Sequence, residues 1–373
     1  MKYYLIAGEA SGDLHGANLM HALKKVDTDA EFRFWGGDAM QAEGGSLVKH
    51  YKERSFMGFA EVVLNISKIF KDISLCKKDI EAYQPDALIF IDNSGFNLRI
   101  AKWAKEKGFY TNYYISPQVW ASRAKRVQAI KRDIDAMYVI LPFVEDFYKD
   151  FDYEVNFVGH PLLDAIHKYE HLDLKTLQEE YNLDDRPIIA LLPGSRKQEI
   201  SKMLSVMLSV TNTFKDYQFI IAGAPSQDKE FYEPYLKKSN IHLIMNRTYD
   251  ILTHAHAALV TSGTATLETA LFNVPEIVCY KGNFISYHIA KRIIKLNYIS
   301  LVNLIMNREV VKELIQNELD TENLTTELHK ILETEQRDKM LNDYEVLERK
   351  LGGVGASLKA AKLIVANTKK KKQ

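Results

Sequence analysis

The sequence is poor in cysteine and has no excess of charge of either sign. Its 373 residues include two cysteines, which are too far apart for a Cys-x-x-Cys pair and give no disulfide framework, as is typical of a reducing cytoplasm. Lysine plus arginine and aspartate plus glutamate each number 49, which argues against nucleic-acid binding by bulk charge. No apolar run approaches the roughly 18 residues that a spanning helix needs. We therefore expect a cytoplasmic protein that can still bind a membrane surface.

The one sharp bias in charge lies at the end of the chain, in the four lysines Lys369–Lys372. This run predicts a solvated, frayed tail. A weaker alternative is attraction of the tail to anionic lipid headgroups.

Short apolar runs alternate with longer amphipathic stretches along most of the chain. A hydrophobic fraction of 46% and a charged fraction of 26% are those of a globular protein, and the length favours two domains. The alternation predicts parallel sheets whose strands are buried on both faces. The expected strands are Tyr3–Ala7, Phe32–Trp35, Ala87–Ile91, Tyr110–Ile115, Met137–Leu141, Asn156–Val158, Ile188–Leu192, Phe219–Ala222, His242–Met245, Ala257–Val260 and Glu276–Cys279. After about Arg308 the chain is expected to be helical to its end.

The strand pattern stops at the polar segment His167–Arg186 and restarts after Pro187. We expect an α/β protein of two doubly wound, Rossmann-like domains with a cleft between them. The predicted domains are residues 1–165, completed by C-terminal helices at about 345–373, and residues 166–344.

Ligands of open parallel sheets bind beyond the carboxyl ends of the strands, so the residues after each strand are the candidates. Asp92 directly follows the strand Ala87–Ile91, and a carboxylate at a strand tip is a candidate general base. The alternative is a helix cap, a role that Ser94 or Asn97 could fill equally well.

Two other loops of the first half carry candidates. The turn Gly8–Asp13 brings backbone amides close to a ligand, or is a tight turn in which Ser11 or Asp13 caps the helix. Its carboxylates, Glu9 among them, argue against a diphosphate there. The loop Ser116–Trp120 presents an aromatic surface, unless Trp120 simply packs in the core.

In the second half, Arg196 follows the strand Ile188–Leu192 and can direct its forked donors at a ligand, although no P-loop is present. Small hydroxyl residues and a glycine in Thr261–Glu268 begin a helix whose free amides suit a phosphate. Glu268 can accept hydrogen bonds from a ribose diol. The alternative is a Ser/Thr-capped helix in which Glu268 completes a capping box.

Signals for a metal are poor, and we expect neither a metal nor a cofactor. His254 and His256 are more typical of helix-end and strand residues than of ligands. The acidic triplets Asp27–Asp29, Asp133–Asp135 and Asp150–Asp152 fall outside strand carboxyl ends.

The segment from Phe56 to Phe70 is apolar well beyond one helical stripe. It either packs in the core or forms an apolar groove or membrane-facing patch. The basic residues that flank this segment are Lys49, Lys52, Arg54 and Lys68.

Several motifs follow one another over essentially the whole chain. They are Ala7–Asp13, Ser116–Trp120, Phe157–Pro161, Leu191–Arg196 with Glu199, Ser262–Glu268 and Ser300–Leu304. In these residues the chain resembles the lipid-A-disaccharide synthases, glycosyltransferases of bacterial endotoxin assembly. The resemblance implies a glycosyltransferase-B fold with an N-terminal acceptor domain and a C-terminal domain that binds UDP.

The resemblance also implies the reaction and the partners. UDP-2,3-diacylglucosamine would condense with 2,3-diacylglucosamine 1-phosphate (lipid X), with inversion, to give the β-1,6-linked disaccharide 1-phosphate and UDP. The enzyme would be peripheral on the inner membrane, and a homodimer could exchange its C-terminal region.

The reaction fits the candidates above. Asp92 is the predicted base, and Arg196 stabilises the leaving diphosphate. The predicted UDP-sugar site comprises Gly194, Ser195, Arg196, Ser262, Gly263, Thr264, Ala265, Thr266, Glu268 and Asn303. The predicted acceptor and lipid site comprises Glu9, Ser11, Phe56, Met57, Phe59, Val62, Val63, Gln118 and Trp120.

Two departures from the family pattern affect this site. Gly95 stands where the family often has a second aspartate, and Ser122 stands where it has a second tryptophan. Two other functions remain as alternatives, a UDP-N-acetylglucosamine 2-epimerase-like enzyme and a non-catalytic nucleotide-sugar sensor. The epimerase needs no acceptor, and the sensor does not need Asp92.

Overall fold

A computed structural model describes residues 1–54, 66–121, 124–236, 240–282, 297–333 and 335–373 of the chain. These residues form two compact units. Unit 1 consists of Met1–Asp164 together with Leu351–Gln373, and unit 2 consists of Ala165–Lys350.

The described part of unit 1 contains a parallel sheet of seven strands in the order β3-β2-β1-β4-β5-β6-β7. The strands are β1 Lys2–Ile6, β2 Glu31–Gly36, β3 Ser46–His50, β4 Ala87–Ile91, β5 Thr111–Tyr114, β6 Ala136–Val139 and β7 Asn156–Phe157. The helices are α1 Ala10–Val26, α2 Asp38–Ala42, α3 Ile66–Tyr83, α4 Ser94–Glu106, α5 Val127–Asp133, α6 Phe143–Lys149 and α7 Pro161–His167, the last of which ends in unit 2.

The centre of this sheet is apolar on both faces, which is why its strands read as continuous hydrophobic runs. All five residues of β4 are buried, and Leu5 of β1 is in register with Ile89. Parallel strands buried in this way need helices on both faces, and the alternating helices of the chain supply them. The strand order changes direction between β1 and β4, where ligands of doubly wound sheets bind.

The chain returns to unit 1 at its end through a tight turn. Helix α15 (Ala356–Lys372) packs against α1 and buries Ala360 and Ile364 in the core of unit 1. The Asp164 carboxylate accepts hydrogen bonds from the Gly355 and Ser357 amides at the start of this helix. Asp164 thereby satisfies helix amides that would otherwise lack partners.

The described part of unit 2 contains a parallel sheet of six strands in the order β10-β9-β8-β11-β12-β13. The strands are β8 Ile188–Leu192, β9 Gln218–Gly223, β10 Ile241–Met245, β11 Ala255–Thr261, β12 Glu276–Tyr280 and β13 Lys312–Ile315. The helices are α8 Leu174–Tyr181, α9 Lys197–Met207, α10 Thr248–His254, α11 Thr264–Leu271, α12 Leu301–Met306, α13 Thr321–Glu333 and α14 Glu335–Lys350. The strand order changes direction between β8 and β11.

These two sheets confirm the predicted α/β class, with three corrections. The sequence did not predict β3, and the expectation that the chain is only helical after Arg308 is wrong because β13 begins at Lys312. The lysine tail is not frayed, because α15 continues to Lys372 and the Lys372 ammonium pairs with Asp86 at 2.5 Å. No helix in the described ranges is long and apolar enough to cross a membrane.

Candidate functional site

Asp92 lies at the carboxyl end of β4, where the backbone is strained. Asp92 and Asn93 both have a φ of 42°, in the left-handed region that residues other than glycine seldom adopt. Asn97 holds this backbone, because its Nδ2 donates to the carbonyl oxygens of Asp92 at 2.8 Å and Ile91 at 3.1 Å. Such strain costs about 1–3 kcal/mol per residue and is often found at functional sites. The N-cap residue of α4 is Asn93, so Asp92 is not the helix cap.

The environment of Asp92 raises the pKa of its carboxylate above the ordinary aspartate value. The carboxylate is solvent-accessible, yet the surrounding protein desolvates it and raises its pKa. The negative charge of Glu9 raises this pKa further, and the Asn93 amide opposes the shift with a hydrogen bond. Glu9 and Asp92 follow the adjacent strands β1 and β4, which is why the two carboxylates interact.

The turn after β1 is built to fit closely against the Asp92 loop. A Cβ on Gly8 would come within 1.9 Å of Nδ2 and 2.6 Å of Cγ of Asn93, so any larger residue there would displace the Asn93 side chain. Asp13 is buried and caps α2, since its carboxylate accepts from the Gly37 amide at 2.6 Å and the Met40 amide at 3.1 Å. Asp13 therefore does not cap its own helix. Ser11 does not occupy the capping position either, because the N-cap residue of α1 is Glu9, whose own side chain makes no capping hydrogen bond.

The remaining predicted acceptor residues divide into three groups. Glu9, Ser11 and Gln118 are exposed on unit 1. Trp120 is half-buried and packs edge-on against Phe143, with 4.8 Å between ring centroids. Part of its ring therefore contacts the protein and part is exposed to solvent. The predicted lipid-binding residues Phe56, Met57, Phe59, Val62 and Val63 lie outside the described residues.

In unit 2, the loop after β8 depends on Gly194. Its φ of 101° suits glycine, and a Cβ there would lie 2.4 Å from Oε2 of Glu199. Ser195 and Arg196 are exposed beyond this turn, and Arg196 is the N-cap residue of α9. The Ser195 carbonyl accepts a hydrogen bond from the Ser226 hydroxyl at 2.7 Å, which fixes the loop against the residues that follow β9.

A basic cavity of about 370 Å³ opens beside Arg196. Its lining residues are Arg196, Lys197, Gln198, Glu199, Lys202, Met203, Thr261, Tyr280, Lys281 and Gly282. The cations among them outnumber the one acid, Glu199, so the cavity suits an anionic group. Sequence reasoning missed Lys202 and Lys281. Lys202 lies one turn of helix after the motif that ends at Glu199, and Lys281 follows β12, whose end carries no recognisable motif.

The start of α11 has a glycine at its N-cap. Gly263 is the N-cap residue, and it has no side chain that could cap the first amides of the helix. Ser262 donates its hydroxyl to the Ile299 carbonyl at 3.0 Å, and Thr266 donates to the Gly263 carbonyl at 2.9 Å. The structure therefore contradicts the alternative in which a serine or threonine caps this helix. Gly263 and Thr264 are exposed and Ala265 is half-buried, so the helix start is accessible to a phosphate.

Glu268 is half-buried one turn into α11 and accepts a hydrogen bond from the Tyr249 hydroxyl at 3.0 Å. Burial raises the pKa of Glu268, and the hydrogen bond from Tyr249 opposes that shift. Tyr249 was not among the predicted site residues, because the contact depends on how α10 packs beside α11.

Asn303 is fully buried and its side chain is occupied by the protein itself. Its Nδ2 donates to the Val311 carbonyl and to Glu313, each at 2.9 Å, and its Oδ1 accepts from the Val310 amide at 2.7 Å. These contacts leave no polar group for the predicted contact with sugar or phosphate. Asn303 instead helps to shape the segment that includes Ile299, whose carbonyl binds Ser262.

The metal candidates have structural partners. Nε2 of His254 lies 2.7 Å from the Leu172 carbonyl, and Nε2 of His256 lies 3.3 Å from the Leu332 carbonyl. Asp133 pairs with Arg132, and Asp135 pairs with Lys105. Within the described ranges, no group of three or more His, Cys, Asp or Glu residues is arranged to hold a metal ion.

Comparison with solved structures shows a shared fold. The UDP-GlcNAc 2-epimerase from Neisseria meningitidis, solved with UDP-GlcNAc bound, superposes with a TM-score of 0.64 at 14% identity, covering 100% of both chains. The glycotransferase of kitacinnamycin superposes with a TM-score of 0.66 at 12% identity, covering 98% of this chain and 99% of that one. At these identities the likeness establishes a glycosyltransferase-B type fold and nothing finer.

Sequence comparison distinguishes between the families that share this fold. The lipid-A-disaccharide synthase of Syntrophus aciditrophicus is 38% identical, over 98% of this chain and 97% of its own. The lipid-A-disaccharide synthase of Geobacter metallireducens is 35% identical, over 99% of this chain and 97% of its own. A sequence model described as lipid-A-disaccharide synthetase matches residues 3–366. The chain therefore belongs to the lipid-A-disaccharide synthetase family.

Proposed function

We propose that the protein transfers a diacylglucosamine unit from UDP-2,3-diacylglucosamine to lipid X, with inversion, to form the β-1,6-linked disaccharide 1-phosphate and UDP. The observation that carries this proposal is the pair of sites at strand carboxyl ends. Unit 1 has a carboxylate with a raised pKa at Asp92, and unit 2 has a basic cavity and a helix start with Gly263 at its N-cap. The family match selects this reaction over the epimerase and the sensor.

Asp92 acts as the general base in this proposal. Its carboxylate takes the proton of the acceptor's 6-hydroxyl as that oxygen attacks the anomeric carbon of the donor sugar. The bond from the anomeric carbon to the diphosphate oxygen breaks at the same time, and UDP leaves with the negative charge. With Gly95 beside it, Asp92 performs this role without a second aspartate.

The leaving diphosphate is stabilised by unit 2. Arg196 presents a planar fork of donors that matches phosphate oxygens, and the amides at the start of α11 add a second set of donors. Lys202 and Lys281 add positive charge to the same cavity. Glu268 accepts hydrogen bonds from the ribose. All of these groups lie at the carboxyl edge of one sheet.

Replacing Arg196 by alanine should slow turnover and weaken UDP binding, because a charge-assisted contact to phosphate is lost. Glu268→Gln should mainly weaken binding of the nucleoside. The double variant should lose less than the sum of the two, since both groups hold one ligand. Calorimetric titration measures the UDP affinity of the two single variants and of the double variant. Unchanged UDP affinity in both single variants would rule out this donor site.

The assay that tests the reaction itself combines the protein with UDP-2,3-diacylglucosamine, with and without lipid X. We expect disaccharide 1-phosphate and UDP only when lipid X is present. Conversion of the donor without acceptor would support the epimerase instead, and binding without any turnover would support the sensor.

We also propose that the protein binds the inner-membrane surface through the apolar segment near residue 56, because both substrates carry acyl chains. The neighbouring helix α3 supports this, since Phe70 is 64% exposed and Leu75 is 46% exposed. Of the basic residues expected to assist, Lys49 is half-buried and its charge is paired with the buried Asp72. Lys52 remains largely exposed, although it pairs with Asp38.

Changing Met57 and Val63 to serine should lower liposome binding and the use of lipid X while the melting temperature barely moves. Burying one large apolar side chain contributes roughly 1.5–3 kcal/mol, so binding should weaken at least about tenfold. Val354→Ser is the matched control, because Val354 is 60% exposed on the C-terminal return. A melting temperature several degrees lower, with activity falling in parallel, would place these residues in the core.

A homodimer that exchanges its C-terminal region is the last part of the proposal. Helix α15 packs on α1 although all of unit 2 lies between them in the sequence. The same packing could therefore form with α1 of a second copy.

A further inference from the structure

Tyr249 has a defined place beside the ribose carboxylate of the proposed donor site. It is the second residue of α10, and its hydroxyl donates to Oε1 of Glu268 at 3.0 Å. Its ring is held between two aromatic neighbours. The Tyr169 ring meets it nearly edge-on, at 5.1 Å between centroids and 80° between planes, and the Phe272 ring lies at 5.0 Å. The hydroxyl therefore has a fixed position relative to α11.

This contact has two effects on Glu268. It occupies one carboxylate oxygen and limits rotation of the group, so that the other oxygen is left to accept from a ligand. It also favours the ionised form, because a donor to a carboxylate stabilises the negative charge against the desolvation of the site. An ionised carboxylate accepts the hydrogen bond of a hydroxyl more strongly than a neutral carboxylic acid does.

We propose that Tyr249 is a positioning residue for nucleoside recognition, which orients the Glu268 carboxylate to accept the ribose hydroxyls of a uridine diphosphate. This inference rests on the proposed assignment of Glu268 to the ribose. It adds to that assignment a group that no motif of the sequence indicated.

The other charges near this pair are engaged with one another. The Tyr169 hydroxyl donates to Oδ2 of Asp250 at 2.8 Å, and Asp250 also accepts from the Leu172 amide at 2.8 Å. Arg247 lies 3.3 Å from the same Asp250 oxygen. Among the residues that the structure describes, the titratable group that interacts with Glu268 is Tyr249, and Tyr169 interacts with Tyr249 in turn. Removing the Tyr169 hydroxyl therefore leaves the Tyr249–Glu268 contact intact.

Calorimetric titration with UDP across a range of pH tests the inference in the full-length protein. Tyr249→Phe keeps the ring packing and removes the donor, and we expect roughly 5- to 20-fold weaker UDP binding. The pH at which affinity falls on acidification should also rise. The sign follows because UDP binds the ionised carboxylate, and loss of the Tyr249 donor raises the pKa of Glu268.

Two further variants make the outcomes distinguishable. Tyr169→Phe, the matched control from the same aromatic cluster, should keep the wild-type affinity and pH dependence even if its melting temperature falls. Glu268→Gln should bind UDP weakly, and its affinity for UDP should not fall on acidification as that of the wild type does. Adding Tyr249→Phe to Glu268→Gln should cause no further loss of affinity.

The possible failures are separate. If Glu268→Gln binds UDP as well as the wild type does, the proposed ribose site itself is wrong. If Glu268→Gln weakens binding but Tyr249→Phe does not, the donor site stands and the role of Tyr249 is overturned. A loss in Tyr249→Phe without a shift in pH dependence, or additive to that of Glu268→Gln, would also overturn it, because Tyr249 would then act only through folding.

Discussion

Asp92→Asn should lower turnover by a factor of about 10²–10⁴ while UDP binding is largely kept. The substitution is nearly isosteric, and the carbonyl contacts from Asn97 and Tyr113 hold the backbone of residue 92 rather than its side chain. The strained loop should therefore fold as before. The amide cannot accept the proton of the attacking hydroxyl, so only the chemical step should suffer. Steady-state turnover and UDP calorimetry measure the two effects separately.

Asp146→Asn is a matched control on the same unit, because Asp146 is an exposed aspartate whose ion pair with Lys149 lies at the surface. Its turnover should be that of the wild type. Near-normal turnover of Asp92→Asn across the pH range would remove Asp92 from the role of base. An equal loss of UDP binding would point to a disrupted fold rather than to a missing base.

The pH profile gives Asp92 a second signature. Because desolvation and then Glu9 raise its pKa, turnover should begin to fall on acidification at a higher pH than for an ordinary aspartate. Glu9→Gln removes one source of that shift. Glu9→Gln should therefore move the acidic limb of the kcat–pH profile to lower pH, whatever its effect on KM. If this acidic limb does not move, a group other than Asp92 is responsible for it.

The interior of each sheet could be predicted from the sequence, and its edges could not. Ala87–Ile91 and Ile188–Leu192 were predicted with the bounds that the structure has, because strands buried on both faces leave continuous apolar runs. The edge strands Ser46–His50 and Lys312–Ile315 carry polar residues and are partly exposed. No run of that kind marks them, so the sequence did not predict the first of these strands and predicted helix in place of the second.

The candidate site divides in a similar way. Asp92 and Arg196 were predictable because they lie in the loops that follow strands, and sheet topology places such residues at the ligand edge. The roles of Asp13, Tyr249 and Asn303 were not predictable, because each depends on a partner that only tertiary packing brings near. Asp13 caps a helix 24 residues further along, and Tyr249 meets a glutamate 19 residues further.

Two buried glutamates on the adjacent strands β12 and β13 should respond to substitution with opposite signs. Glu276 is fully buried, and within the described part of the chain no hydrogen-bond partner reaches either of its carboxylate oxygens. Glu313 is nearly as buried, but it accepts hydrogen bonds from the Ile299 amide at 2.9 Å, the Ser300 hydroxyl at 2.8 Å and Asn303 at 2.9 Å. Desolvation, and then the charge of Glu313, raise the pKa of Glu276 well above its usual range.

Glu276→Met should therefore raise the free energy of unfolding at neutral pH by about 1–3 kcal/mol, since an unpaired buried polar group gives way to an apolar side chain of similar length. Glu313→Gln should lower it, because the Ile299 and Ser300 amides then share a neutral acceptor that also presents a donor. Denaturant unfolding of the full-length protein measures both. Glu313→Gln is the control that shows burial alone does not decide the sign.

The pH dependence of stability follows from the raised pKa of Glu276. A carboxyl whose folded pKa lies above its unfolded value contributes stability that is complete below the unfolded pKa of about 4.3 and is lost as pH rises through the folded pKa. The wild type should thus lose stability from Glu276 on going from mildly acidic to alkaline pH. Glu276→Met should lack that loss, so its advantage over the wild type should grow with pH. A constant or shrinking difference would mean that Glu276 is ionised and paired in the folded protein.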